Sequence, residues 1–312
     1  MFLVILVYML FASGFTIGKA VLYYLDPIFF IGFRMILAGT ILLSYLYFRN
    51  RSQLRLQKRD LWLFMQVAIF HVYFAYVTEF WALQYLTSFK TAFIYNLTPF
   101  FSALLAYFFF SEKMNLRKWL GMFIGFFGFL IILADGGSPG EASKHAFGFF
   151  SWPEIALLVS VVSAVYGWVL LKKLNREKNY SIVMVNGAGM LTGGFLALIT
   201  SFFVEGVPKL KLASSSPGFD ILTCFSYAIL LIIITNVIAC NLYGYLLKKY
   251  SFTFLSFVGF ICPLFAALYG NIFLAERPTI YFFISVAIVA VGLYLFYKEE
   301  LKHISINDTK NS

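Results

Sequence analysis

Apolar stretches of about 20 residues follow one another along almost the whole chain, separated by short polar connectors. The connectors are marked by charge, glycine or proline, as in the basic segment 49–60 and the glycine-containing segment 135–145. A helix of about 20 apolar residues crosses a hydrocarbon core about 30 Å thick. The pattern therefore predicts an all-α membrane protein with ten transmembrane helices, at about residues 2–22, 28–48, 61–83, 89–110, 118–134, 152–171, 181–204, 221–247, 252–273 and 279–297.

One passage of the chain occurs twice. Residues 99–134 match residues 263–298 at a constant offset of 164, and each copy reads as an apolar helix, a charged turn and a second apolar helix. Such duplication in an apolar chain predicts a protein built from two five-helix repeats. We expect the repeats at 1–134 and 152–298, with an external linker at 135–151 and a cytoplasmic tail at 299–312.

The basic residues are unevenly distributed between alternate connectors. Most of the 24 Lys and Arg residues lie in connectors on the same side as the amino terminus. The positive-inside rule then predicts that both termini are cytoplasmic, and we interpret the membrane as a bacterial inner membrane. Because each repeat has an odd number of helices, the two are expected to be inverted, as in many alternating-access transporters.

Composition excludes several classes of protein. The chain is 61% hydrophobic and 12% charged, whereas a soluble domain has about 25% charged residues. The net charge of +10 lies in the connectors, so no nucleic-acid partner is expected. The 3 cysteines lie in apolar segments without metal-ligand spacing. No nucleotide-binding or catalytic motif occurs, so we expect no enzyme activity, no metal and no cofactor.

The local phrases resemble EamA-type members of the drug/metabolite transporter superfamily. The first repeat of that family is similar to the segments DPIFFIGFRMILAG, which contains Arg34, and NLTPFFSALLAYFFFSEKM, together with Lys19 in the first span. The second repeat is similar to SFVGFICPLFAALYGNIFLAERP, although the segment VMVNGAGMLTGG has Asn186 where Arg34 would recur. The resemblance implies a central cavity enclosed by spans 1–4 and 6–9. It also implies that spans 5 and 10 support the pathway or form a homodimer contact.

Three charged residues fall well inside predicted spans: Lys19, Arg34 and Glu79. A charge at membrane depth costs a few kcal/mol or more, so each should face a cavity or a partner. One interpretation is a substrate or proton site in which the cations hold a carboxylate or phosphate. The other is an ion-pair network that stabilises a gate, or snorkelling to the interface. We predict substrate binding for Lys19 and Glu79, and favour a structural role for Arg34.

Glu79 has aromatic and polar neighbours in sequence. Tyr76 lies one turn before it, and His71 shares its helical face. A carboxylate beside aromatic rings can bind a cationic group by charge and by cation–π attraction. We therefore predict Tyr76 as a further substrate ligand and His71 as a hydrogen-bonded packing residue.

Other residues are assigned by their place in the spans. Tyr95, Asn96 and Asn236 are predicted to line the substrate path, because polar side chains are uncommon on lipid-facing positions. Pro99 and Pro263 each remove a helical hydrogen bond near the start of a span. Glu112 and Glu276 lie in the repeated charged turns, so we expect these four residues, like Arg34, to have gating or structural roles.

The sequence thus predicts a secondary transporter that moves a small polar or charged organic metabolite by alternating access, with an amino acid or a derivative as the first candidate. The expected partners are this substrate and the lipid bilayer, with a proton or a counter-substrate left open. The alternatives are a nucleotide-derivative or drug exporter of the same fold, an intramembrane enzyme acting on lipid-linked substrates, and a non-transporting receptor.

Overall fold

The computed structural model describes residues 2–110, 116–134, 145–147, 150–208, 211, 217–250, 255 and 258–310. These residues form ten helices, numbered here in chain order. They are α1 (Phe2–Leu22), α2 (Pro27–Arg49), α3 (Leu61–Gln66, Val67–Phe74 and Ala75–Leu83), α4 (α4a, Ser88–Tyr95, and α4b, Thr98–Phe110), α5 (Leu116–Ala134), α6 (Trp152–Arg176), α7 (Ile182–Val204), α8 (Pro217–Leu231, Ile232–Ala239 and Cys240–Lys249), α9 (Gly259–Ile261 and Cys262–Leu274) and α10 (Ile280–Lys310).

The helices have the length and surface of membrane spans. By length and composition, 6 of them can cross a membrane: α1, α2, α3, α6, α7 and α8. Shorter apolar helical segments follow at Trp119–Gly128, Gly259–Leu274 and Ile280–Leu295. Large apolar side chains such as Phe48, Trp62 and Phe203 are exposed at the outside of the bundle. Such a surface fits hydrocarbon better than water. The prediction of an all-α membrane protein with ten helices is therefore confirmed.

Short structural elements also occur in the described parts of the connectors. Two turns of 3-10 helix, Arg51–Leu54 and Lys58–Asp60, precede α3. A small antiparallel pair, β1 (His145–Phe147) and β2 (Phe150–Ser151), precedes α6. The predicted tail at 299–312 continues α10 as far as Lys310.

The fourth span is broken, and Pro99 explains where. Proline has no N–H, so the carbonyl of Tyr95 loses its helical partner. The hydroxyl of Thr98 donates to that carbonyl at 2.5 Å instead. The chain therefore passes from α4a to α4b through Asn96 and Leu97 without leaving this carbonyl unsatisfied.

α3 and α8 each contain a π-helical segment, at Val67–Phe74 and Ile232–Ala239. They occupy the third helix of each predicted repeat. Such segments are rare and are often found at functional sites. Each is followed within one turn by residues that line the central cavity described below.

Glycines let α2 and α7 approach closely. A Cβ added to Gly39 would lie 2.8 Å from the carbonyl oxygen of Gly187, and one added to Gly194 would lie 3.0 Å from that of Gly32. The first glycine of α2, Gly32, thus meets the last glycine of α7, Gly194, and the last glycine of α2, Gly39, meets the first glycine of α7, Gly187. Two antiparallel helices related by a local two-fold axis are expected to make contacts of this reciprocal kind.

α5 and α10 show the same reciprocity. A Cβ added to Gly292 would lie 2.6 Å from the backbone nitrogen of Gly125, and one added to Gly128 would lie 2.8 Å from Val289. At the offset of 164, Gly128 corresponds to Gly292 and Gly125 to Val289. The contact between Gly128 and Val289 therefore corresponds to the contact between Gly292 and Gly125, again between antiparallel helices.

The bundle has two polar ends, which we call the Asp60 end and the Glu276 end. At the Asp60 end, the Tyr180 hydroxyl donates to Asp60 at 3.0 Å and Lys178 pairs with it at 3.2 Å. At the Glu276 end, Glu205 accepts from the backbone N–H groups of Ile28 and Phe29, both at 2.8 Å. These carboxylates fix the loops between helices, and Glu205 also satisfies the first turn of α2.

The hydroxyl of Tyr180 at the Asp60 end makes the stability of the folded protein depend on pH in the alkaline range. Burial raises the pKa of this hydroxyl, and the neighbouring Asp60 raises it further. Since the folded pKa lies above the unfolded value of about 10, the stabilisation is complete below pH 10 and is lost as the pH rises through the folded pKa. We expect the melting temperature to fall as the pH rises above about 10. Tyr180→Phe should melt a few degrees lower at pH 7 and show a flatter alkaline profile, measured by thermal unfolding in detergent; an equally steep alkaline profile would contradict this role.

Candidate functional site

A cavity of about 120 Å³ lies in the middle of the bundle. Seven helices line it: α1, α2, α3, α4, α6, α8 and α9. The aromatic lining residues are Tyr8, Phe11, Phe15, Tyr76, Phe80, Tyr95, Trp168 and Tyr243, and the polar ones include Arg34, Glu79, Asn96, Thr98 and Thr235. Glu79 and Arg34 carry the charges of the described lining.

Arg34 lies on α2 with 1% of its surface exposed. The central carbon of its guanidinium is 4.6 Å from the ring centre of Phe80 and 5.1 Å from that of Tyr76. Its Nε atom has no hydrogen-bond partner among the described residues. The rings stabilise the cation by cation–π attraction and leave a donor unused.

Glu79 lies on α3, one turn after Tyr76, and is also buried. The positive charge of Arg34 attracts this carboxylate electrostatically. The structure thus brings Glu79, Arg34 and Tyr76 together at the cavity. A carboxylate and a guanidinium in one apolar pocket can bind the two charges of a zwitterion.

Some residues that lie 164 positions apart in the chain meet at or beside the cavity. Tyr76 and Cys240 are 164 residues apart, and their side chains contact each other at 3.6 Å. Glu79 corresponds in the same way to Tyr243, and Thr98 to Cys262. Residues from both halves of the chain therefore line the cavity.

Four lining residues form a continuous cluster that we call the aromatic wall: Tyr8, Phe11, Trp168 and Tyr243. Ring centres of Trp168 and Tyr243 are 4.5 Å apart, and those of Phe11 and Tyr243 are 5.8 Å apart. The sequence does not distinguish these cavity-lining residues, because aromatic residues in apolar spans are ordinarily packing residues.

His71 packs edge-on against Trp168, with ring centres 4.4 Å apart. The glycine at position 167 permits this, since a Cβ there would lie 2.3 Å from the Cβ of His71. Neither ring nitrogen of His71 has a partner among the described residues. His71 therefore packs against Trp168, and the described residues offer it no hydrogen-bond partner.

The other polar residues that were predicted to line the substrate path lie in different places. Tyr95 and Asn96 line the cavity, and the side-chain nitrogen of Asn96 has no partner in the described part of the chain. Asn236 is fully buried between α2 and α8, where its amide contacts the sulfur of Met35 at 3.3 Å. Its neighbour Thr235 lines the cavity instead.

Lys19 lies at the Glu276 end, not among the described residues that line the cavity. It forms an ion pair with Glu276 at 3.2 Å and donates to the carbonyl of Leu86. Glu276 also accepts from the Ser88 hydroxyl at 2.5 Å and from the Ser88 N–H at 2.9 Å. We call this group of Lys19, Glu276 and Ser88 the Glu276 clamp. It ties α1, the start of α4a and the end of α9 together.

A second buried ion pair holds the first turn of α4a. Lys90 and Glu154 lie 3.1 Å apart, with 6% and 4% of their side chains exposed. Glu154 also completes a capping box with Ser151 at the start of α6. The sequence shows the capping motif, but the ion pair depends on how α4a and α6 pack.

The residues predicted to be structural occupy varied places. Pro263 lies in the first turn of the main part of α9, where a missing N–H costs little. Glu112 lies outside the described residues. In the described part of the chain, no cluster of His, Cys, Asp and Glu could hold a metal ion.

Comparison with known proteins identifies clear relatives. The EamA-like transporter family matches residues 1–134 and 151–298. The S-adenosylmethionine/S-adenosylhomocysteine transporter of Chlamydia muridarum is 32% identical over 303 residues, which cover 96% of this chain and 92% of that protein. The protein of the same description from Chlamydia trachomatis serovar D is 31% identical, with 96% and 90% covered.

More distant relatives share the architecture. An uncharacterised transporter of Archaeoglobus fulgidus is 25% identical over 303 residues, covering 94% of this chain and 95% of its own. A solved crystal structure with 16% identity superposes with a TM-score of 0.62, covering 94% of this chain and 93% of the other. That similarity shows a shared fold.

Proposed function

The chain belongs to the EamA-like transporter family, and from this we propose that its substrates are S-adenosylmethionine and S-adenosylhomocysteine. The protein is an integral membrane transporter of a small metabolite and not an enzyme. The finer proposal is supported by the two Chlamydia relatives, which are similar over at least 90% of their own length. S-adenosylmethionine is itself an amino-acid derivative, the class that the sequence analysis placed first.

The observation that carries the proposal is the combination of groups around the cavity. S-adenosylmethionine has an ammonium, a carboxylate, a sulfonium cation and an adenine base. Glu79 offers a negative charge to a cation, Arg34 offers a positive charge to the carboxylate, and the aromatic rings offer apolar faces to the base. S-adenosylhomocysteine lacks only the methyl group and charge of the sulfonium.

Counterflow in proteoliposomes tests the proposal. Vesicles loaded with unlabelled S-adenosylhomocysteine should accumulate labelled S-adenosylmethionine, and empty vesicles should not. Accumulation driven by a pH gradient without internal substrate would favour a proton over a counter-substrate. Wild-type vesicles that exchange free methionine or a cationic drug, but no adenosyl compound, would contradict the proposed substrates.

We further propose that the two halves are inverted repeats that move by alternating access. The family match to both halves supports this, as do the reciprocal contacts of α2 with α7 and of α5 with α10. Counterpart helices that pack antiparallel are related by an axis perpendicular to them, and hence in the plane of the membrane.

In this arrangement the Asp60 end faces the cytoplasm, because the basic connectors lie there. Single cysteines at Ser52 and Val207, two exposed positions at opposite ends, test it in a background without Cys224, Cys240 and Cys262. An impermeant maleimide should label position 207 in intact cells, and position 52 only after lysis. Labelling of position 52 alone in intact cells would reverse the orientation.

The Glu276 clamp is proposed to act as the gate at its end of the bundle. α4a is short, begins at the clamp and ends at the break near Asn96, where the helix can bend. Ala92 and Tyr95 of α4a, and Asn96 at the break, line the cavity. Release of the clamp would therefore free the part of α4 that covers the substrate. We assign Lys19 to this gate and not to substrate binding.

A further inference from the structure

We infer that the cavity is divided into two subsites, and that the nucleobase of the substrate stacks on Trp168 in the aromatic wall. The inference rests on the proposed function, because it assigns parts of the adenosyl substrate to particular residues. It makes Trp168 a specificity-determining residue and His71 a positioning residue.

The charged groups define the first subsite. Arg34 and Glu79 come from α2 and α3, and the guanidinium lies over the rings of Tyr76 and Phe80. Those two ring faces are thus occupied by a cation. The amino-acid end of the substrate, with its two opposite charges, fits here because buried charges require partners.

The aromatic wall supplies the second subsite. It comes from α1, α6 and α8, and all four of its members are uncharged. Adenine is neutral at pH 7 and has two broad π-faces, so it suits an aromatic surface without charge. The ring centres of Trp168 and Tyr243 are only 4.5 Å apart, so the base cannot insert between the two rings. It stacks on the wall from the cavity side instead.

One polar group of the cavity lining has no hydrogen-bond partner. Asn96 lines the cavity together with the aromatic wall, and its side-chain nitrogen has no partner among the described residues. An unsatisfied buried donor is costly unless a ligand or water completes it. The ring nitrogens of adenine and the ribose oxygens are acceptors that can do so.

Trp168 is held in place from behind by His71. The two rings pack edge-on, and the close approach of α3 to α6 depends on Gly167. His71 does not line the cavity in the described structure, so its influence on the base acts through Trp168. It lies in the π-helical segment of α3, which sets its position relative to α6.

Binding of two substrate fragments to the purified protein tests this division. 5′-Methylthioadenosine carries the base and ribose without the amino acid, and S-methylmethionine carries the sulfonium amino acid without the base. Isothermal titration calorimetry should show that Trp168→Ala lowers the affinity for 5′-methylthioadenosine about tenfold or more. The affinity for S-methylmethionine should change less than about twofold. Glu79→Gln should have the opposite pattern.

Matched variants control for folding. Trp168→Phe keeps an aromatic face and should retain most of the affinity for 5′-methylthioadenosine, while Trp62→Ala, at an exposed position on α3, should change neither fragment. His71→Phe keeps a ring against Trp168 and should preserve the binding of both fragments. His71→Ala should lower the affinity for 5′-methylthioadenosine and leave that for S-methylmethionine unchanged.

The two proposals fail in different ways. If wild-type protein exchanges no S-adenosylmethionine but binds 5′-methylthioadenosine through Trp168, the substrate assignment fails and the base subsite stands. Equal loss of both fragments in Trp168→Phe, or unchanged binding of 5′-methylthioadenosine in Trp168→Ala, would overturn the subsite. Wild-type protein that binds S-methylmethionine but not 5′-methylthioadenosine would overturn it as well.

Discussion

Glu79→Gln is expected to reduce exchange of S-adenosylmethionine at least tenfold, with little change in the amount of folded protein. The substitution keeps the shape of the side chain and removes the negative charge that faces the cavity. A hydrogen bond to a charged group contributes about 1.5–3 kcal/mol, which corresponds to roughly tenfold or more in affinity. Initial rates of counterflow and the melting temperature of the purified protein measure the two effects.

Two comparisons sharpen this experiment. S-adenosylhomocysteine keeps the ammonium and carboxylate groups of S-adenosylmethionine, so it should lose about as much affinity. Glu154→Gln removes an equally buried carboxylate that pairs with Lys90 outside the cavity, so it should lower the melting temperature and spare the substrate affinity. Wild-type exchange with an unchanged pH profile in Glu79→Gln would remove Glu79 from the mechanism.

Glu276→Gln is expected to open the Glu276 end of the bundle. The carboxylate pairs with Lys19 and accepts two kinds of hydrogen bond from Ser88, and glutamine keeps the shape without the charge. A single cysteine at Ala92, which is 1% exposed on α4a, reports access to the cavity. Its labelling rate by an impermeant maleimide in intact cells should rise about tenfold, since loss of one charged contact shifts a two-state equilibrium by about that factor.

Glu205→Gln is the matched control for the clamp. Glu205 lies at the same end, but its hydrogen bonds in the described structure go to the first turn of α2 and to Ser201, and not to α4a. This variant should melt at a lower temperature and leave labelling at position 92 unchanged. If Glu276→Gln behaves like Glu205→Gln, the clamp is a structural contact and not a gate.

The spans could be predicted from sequence because each depends on local composition. In a run of about 20 apolar residues inside a membrane, the backbone N–H and C=O groups must form their hydrogen bonds within the helix itself, whatever the neighbouring helices are. The break in α4 was only partly foreseen. Pro99 is visible in the sequence, but the use of the Thr98 hydroxyl to satisfy Tyr95 is a detail of side-chain geometry.

The pairing of charges could not be predicted in the same way. The sequence shows Lys19, Glu79 and Arg34 at similar depth, and they were expected to form one group. In the structure Lys19 contacts Glu276, because the ends of α1 and α9 lie side by side. Which helices become neighbours is a tertiary property, and a charge can be satisfied by any of several partners.

The aromatic wall was missed for a related reason. With 21% aromatic residues in the chain, Trp168 and Tyr243 do not differ in sequence from rings that only fill space. Their proximity at 4.5 Å, and their exposure to a cavity, appear only when α6 and α8 are packed.

Both charges of the cavity, Arg34 and Glu79, belong to the first half of the chain, whereas Trp168 and Tyr243 belong to the second. If the halves rock against each other, the zwitterionic end of the cargo can remain seated on one half through the whole cycle. Only uncharged contacts must then break and re-form. Because a charge stripped of its partner in a low-dielectric setting is costly, this division keeps the largest electrostatic penalty out of the translocation barrier.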